Sequence, residues 1–172
     1  MQTEIREKHM IEIEKMSESA IPEIAPLIAQ FRVTLKEFKG ITASPDEAEG
    51  ASELKEYLDA GFPVFTARKE GVYCGYMVCR VDEPCVWVES IYVLPEFRRR
   101  GIATALFRKA EELAASYGED TLYNYVHPNN KGIIEFLKSR GYTVLNLIEI
   151  RKPYTGEKLT RKIQVDENQF DY

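Results

Sequence analysis

The chain has 172 residues, enough for one domain with a core of its own, and 44% hydrophobic against 30% charged residues is the balance of a globular protein. Its net charge of −5 argues against a nucleic-acid coat, which needs basic surface, and suits a cationic substrate such as an amine. No apolar run reaches the roughly 18 residues of a membrane helix, and Met1–Lys8 alternates charges without an apolar signal core, so a cytoplasmic protein without a membrane partner is expected.

In chain order, residues 1–8 read as a frayed start. His9–Met16 alternates apolar and polar residues, which predicts a first strand. Ile21, Ile24, Ile28, Phe31, Leu35 and Phe38 step by three and four along one face of a long helix; Pro22 sits harmlessly in its first turn, Pro26 suggests a kink and Gly40 ends it. Ser44-Pro-Asp-Glu47 has the form of a capping box opening a second helix, which Gly61 stops. Phe62–Arg68, Val72–Val81 and Cys85–Val93 follow as strands, with Gly75 marking a bulge or a close backbone approach. Arg99–Tyr117 is a helix, Thr121–Val126 a fifth strand, and His127–Asn130 a loop that caps a helix over Lys131–Arg140. Tyr142–Ile150 reads as a long sixth strand and Lys158–Val165 as a last one, before an acidic tail, Asp166–Tyr172, expected to be mobile. The order predicts a single α/β domain over 1–172, with a mixed sheet of six to seven strands, mostly antiparallel, flanked by about four helices.

Cys74, Cys79 and Cys85 lack metal-like spacing and read as small core residues in a reducing compartment. His9 and His127 lie far apart without paired ligands, so no metal is expected.

The most informative stretch is Arg98-Arg99-Arg100-Gly101-Ile102-Ala103, which fits [Arg/Gln]-x-x-Gly-x-[Gly/Ala] between a strand and a helix. A helix start offers unpartnered N–H groups and a positive dipole, Gly101 lets the main chain approach a phosphate closely, and three arginines add charge. A diphosphate is the natural guest; a solvated basic helix start is the plainer alternative. The dinucleotide pattern Gly-x-Gly-x-x-Gly is absent.

The run Ile91–Leu106 resembles the cofactor motif of the GNAT superfamily of N-acetyltransferases. Asn130–Tyr142, an asparagine opening a helix that closes at Gly141-Tyr142, resembles that family's second motif, one helix and one strand further on. The resemblance covers about residues 9–150 by element order. It implies a GNAT-like fold, acetyl-CoA as co-substrate, and direct acetyl transfer to a primary amine of a small molecule or peptide within a ternary complex. It places Ile91, Tyr92 and Val93 beside the pantetheine arm, Arg98, Arg99, Arg100, Gly101, Ile102, Ala103 and Thr104 around the diphosphate, and Asn130 against the pantetheine.

An ammonium must lose a proton before it attacks a thioester, and a carboxylate can take it. Glu89, charged within an apolar strand beside the cofactor motif, is the candidate base, whose pKa burial would raise; pairing with an arginine or reaching solvent at a strand edge is its structural alternative. Where many family members carry a tyrosine to protonate the leaving thiolate, this chain has Leu137, next to Phe136. Tyr125, Tyr123, Tyr142 or water are candidate substitutes, and Tyr125 is taken as the second catalytic residue. His127 is expected to serve as a turn residue. The Leu137 departure leaves a non-catalytic acyl-CoA-binding or sensing module as the alternative function. The tail after Arg151 is a candidate for completing a homodimer.

Overall fold

The structure, a computed structural model, describes residues 10–172. The expected frayed start and His9 lie outside the described residues. Two compact units divide at Glu135/Phe136. No helix among the described residues is long and apolar enough to cross a membrane.

The first unit holds a five-stranded sheet in the order β1 (Ile11–Lys15), β2 (Val64–Lys69), β3 (Val72–Asp82), β4 (Cys85–Val93), β5 (Tyr123–Asn124). The first four strands pair antiparallel, and β5 pairs parallel with β4. Helix α1 (Ile21–Phe38) runs unbroken through Pro26, and α2 (Glu47–Asp59) follows it. Asp46 caps α2, accepting from the Glu49 N–H at 3.0 Å. The Ser44 capping box is thereby corrected: Pro45 disfavours helical backbone in the residue before it, and the carboxylate two positions later takes the cap.

Successive strand residues face opposite sides, and this sorts the core. Tyr76 and Val78 of β3 join Tyr92 of β4 and Val64 in one buried cluster with Ile24, Ile28 and Leu54 of α1 and α2. On the other face, α3 (Ile102–Ser116) buries Ile102, Leu106, Phe107 and Ala110. A Cβ on Gly75 would lie 3.0 Å from the Tyr92 carbonyl and 3.3 Å from Ile102 Cγ2, so the close approach expected at this glycine is present. A Cβ on Gly50 would lie 2.5 Å from the Ala25 carbonyl, so α2 needs glycine there to reach α1.

α4 (Lys131–Ser139) crosses the boundary into the second unit. That unit contains a hairpin of β6 (Lys162–Val165) and β7 (Asn168–Asp171), with a Lys162–Asp171 ion pair across it. Residues expected as an acidic tail therefore form a strand. Tyr142–Ile150 forms none: Val144, Leu145, Leu147 and Ile150 are each at least 66% exposed. The sixth strand expected there is corrected, since an apolar run makes a strand only where another strand offers it hydrogen bonds. The sheet thus has five strands, and the other two form the separate hairpin.

Candidate active site

β4 does not run in simple register with β3. Val78 pairs with Ser90 and Cys79 with Val88, so Glu89 is one extra residue in β4, a bulge. The bulge changes which side chains share a face. Ile91 lies opposite Met77, whereas Trp87 lies opposite Arg80, on the face of Tyr76 and Val78. The Glu89 carboxylate reaches towards the same place: its Oε2 is 3.9 Å from an Arg80 terminal nitrogen. That contact is too long for a hydrogen bond, and Glu89 Oε2 is buried with no hydrogen-bond partner among the described residues.

Arg80 is the centre of this cluster. Its guanidinium carbon lies 5.3 Å from the Trp87 ring centroid and 5.9 Å from that of Tyr125. Its Nε is 3.2 Å from an Asp82 carboxylate oxygen but, like Glu89 Oε2, makes no hydrogen bond. The Arg80 pKa is held above its ordinary value, first by the Tyr125 hydroxyl and then by the carboxylates of Asp82 and Glu89, so it is a fixed cation. Trp87 stacks on Tyr125 with centroids 4.8 Å apart and meets Tyr123 at 4.7 Å, forming an aromatic platform across β4 and β5. Tyr125 is 57% exposed.

A second network ties α1 to α2 nearby. The Arg32 fork donates to both oxygens of Glu53, and the Tyr57 hydroxyl donates to Glu53 at 2.7 Å. Burial above all, then Glu53, pushes the Tyr57 hydroxyl well above the usual phenol range; Glu89 adds a smaller push in the same direction.

The glycine loop is built differently. Arg99 and Gly101 both have left-handed backbone, φ 60° and 83°, and Gly101 is the N-cap of α3. Such residues turn successive N–H groups to one side. No side chain caps this helix among the described residues, so its first-turn N–H groups at Ile102, Ala103 and Thr104 are left to a guest. A Cβ on Gly101 would meet only Ile11 Cδ1, at 3.9 Å, so the left-handed backbone rather than crowding is what calls for glycine here. The three arginines do not act alike. Arg98 folds back, donating from Nε to the Val93 carbonyl at 2.9 Å with its guanidinium over the Tyr92 ring; Arg100 lies over Phe97.

β5 pairs with β4 only at Trp87 and Val88. From Glu89 to Val93 the β4 main chain has no partner strand on that side, and Ile91 and Tyr92 lie along that edge. Asn130 accepts from the Ile133 N–H at 3.2 Å, capping its own helix and leaving its amide NH2 for another partner. His127 is a turn residue, accepting from the Asn129 N–H at 3.2 Å and stacking on Phe38. Leu137 is buried, with no proton to give.

Of the residues picked out by sequence, Glu89 and Tyr125 meet at Arg80 and Trp87, while Arg98–Thr104 form a separate cradle at the start of α3. The sequence did not single out Arg80 or Trp87. The only signal was a tryptophan two positions before the candidate base, and the bulge that brings both to Arg80 carries no sequence mark.

Residues 30–142 match the Acetyltransferase (GNAT) family model. An uncharacterized N-acetyltransferase of Methanocaldococcus jannaschii is 35% identical over 89 residues, covering 45% of this chain and 38% of that one. The probable N-acetyltransferase san of Drosophila melanogaster is 28% identical over 99 residues, covering 55% of this chain and 54% of that one. The matched segments thus span roughly half or less of these two relatives. Among solved structures, a ribosomal-protein-alanine N-acetyltransferase from Brucella melitensis biovar Abortus 2308 superposes with TM-score 0.66 at 20% identity, covering 84% of this chain and 99% of that one. The aminoglycoside acetyltransferase AAC(6')-Iy, bound to the bisubstrate analogue CoA-S-monomethyl-acetylneamine, does so at 0.63 and 23%, with 84% and 99% covered. At these identities the two structures speak to the fold.

Proposed function

The chain belongs to the acetyltransferase (GNAT) family, and on that premise we propose that it transfers an acetyl group from acetyl-CoA to a primary amine by direct attack. The observation that carries this reading is the start of α3, uncapped by any described side chain and turned by left-handed Arg99 and Gly101. These residues fit a diphosphate: N–H groups at the positive end of a 15-residue helix have no capping side chain among the described residues. The N–H groups of Ile102, Ala103 and Thr104 would hold it, with Arg99 and Arg100 adding charge. The β4 edge at Ile91–Val93, beyond the reach of β5, would take the amide-bearing arm of the same molecule, and the Asn130 amide NH2 would serve the same arm.

The thioester brings a carbonyl open to attack and a thiolate leaving group. Glu89 takes the proton that the attacking ammonium must lose, directly or through a water; its free Oε2 supports this role. Main-chain N–H groups of Ile91–Val93 steady the negative charge that grows on the carbonyl oxygen. Tyr125 is the candidate to return a proton to the thiolate. A thiol pKa near 8.5 makes that help small, so Leu137 at the customary tyrosine position does not prevent turnover.

The test is release of CoA thiol from acetyl-CoA against a panel of small amines and peptides. At least one amine should support turnover. Calorimetric binding of acetyl-CoA with no turnover across the panel would instead favour an acyl-CoA-sensing module.

A further inference from the structure

The cluster at Arg80 has the composition of a cation site already filled from within. One guanidinium lies against two aromatic rings and beside two carboxylates, yet its Nε and the Glu89 Oε2 make no hydrogen bonds, and Arg80 and Glu89 stay 3.9 Å apart. An aromatic face and a carboxylate attract cations generally, not arginine alone. An alkylammonium is more compact than a guanidinium and can give the hydrogen bond that Glu89 Oε2 lacks, which Arg80 at this distance does not.

We propose that Arg80 is a built-in competitor of the acceptor, and that the acceptor is a dicationic alkylamine which binds the Trp87–Tyr125 platform as Arg80 swings out. The charge balance supports the second positive group. Asp82 and Glu89 carry two negative charges, and with Arg80 displaced both are left for the incoming molecule. Arg80 can leave without unfolding the sheet, because its side chain is 28% exposed and Asp82 is more exposed still, at 62%. The inference rests on the proposed function, since it names the acceptor class of the same site. It gives Arg80 the part of a specificity residue that acts by occupying the place of the substrate.

The chain has a single tryptophan, Trp87, so its fluorescence reports on this platform directly and requires no acetyl transfer. Putrescine titrated into the full chain should change the emission saturably, butylamine should act only at higher concentration, and butanol not at all. In Arg80→Gln the half-saturating putrescine concentration should fall by about tenfold, the scale of a partly desolvated cation–aromatic contact. Arg80→Lys keeps a positive charge, on an alkylammonium that competes for the same place, and should show no such fall. An unchanged or raised half-saturating concentration in Arg80→Gln would overturn the competitor role, and so would equal gains in the Gln and Lys variants. A wild-type emission blind to putrescine would overturn the site itself. None of these readouts depends on turnover, so a failure of acetyl transfer is seen separately.

Discussion

The α3 cradle and the Arg80–Trp87 platform lie on one sheet and are made of different materials. The cradle presents main chain: N–H groups at a helix start, turned by Arg99 and Gly101. The platform presents side chains from two strands, brought together by one extra residue at Glu89. Main-chain recognition needs particular backbone angles, and those leave a glycine signature a reader can find. Side-chain recognition needs only register, which a sequence does not display. The difference predicts a division of labour, with binding of the donor at the cradle and chemistry and acceptor choice at the platform.

Variants can break or sharpen this division. The largest effect is expected from Glu89→Gln. Loss of a general base should lower kcat by about a hundredfold or more, with acetyl-CoA affinity unchanged by calorimetry; a fall in affinity without a fall in kcat would move Glu89 to the donor side. Gly101→Val comes next. A β-branched residue at φ 83° is strained and the N–H groups turn away, so acetyl-CoA affinity should weaken by about tenfold or more while the Trp87 response to putrescine is kept. Asp46→Ala touches neither region. Losing the α2 cap should lower stability by about 1 kcal/mol in urea denaturation and leave the kinetic constants alone. Among the variants within the two regions the smallest effect is expected from Tyr125→Phe, less than about tenfold in kcat, because a thiolate leaves tolerably without an acid; a hundredfold loss would give Tyr125 the larger role.

The same contrast explains what could be read from the chain. α3, its glycine loop and the helix opened by Asn130 were legible because each depends on local backbone chemistry. Glu89 was legible as a charge inside an apolar strand, but its partners were not: Arg80 is nine residues away, and Trp87 comes to lie opposite Arg80 only because of the bulge. At Ser44 the capping pattern misled, because Pro45 displaced the cap to Asp46. At Tyr142–Ile150 hydrophobicity misled, because apolar residues show that a segment can be covered without showing what pairs with it.

The most direct test of the division is CoA thiol release by wild type, Gly101→Val and Glu89→Gln side by side at saturating acetyl-CoA, with an amine the wild type accepts. A loss of donor binding is overcome by saturation and a loss of chemistry is not. Gly101→Val should return to within a few-fold of wild type, and Glu89→Gln should stay about a hundredfold or more below it. Recovery of Glu89→Gln to the wild-type rate would contradict the account.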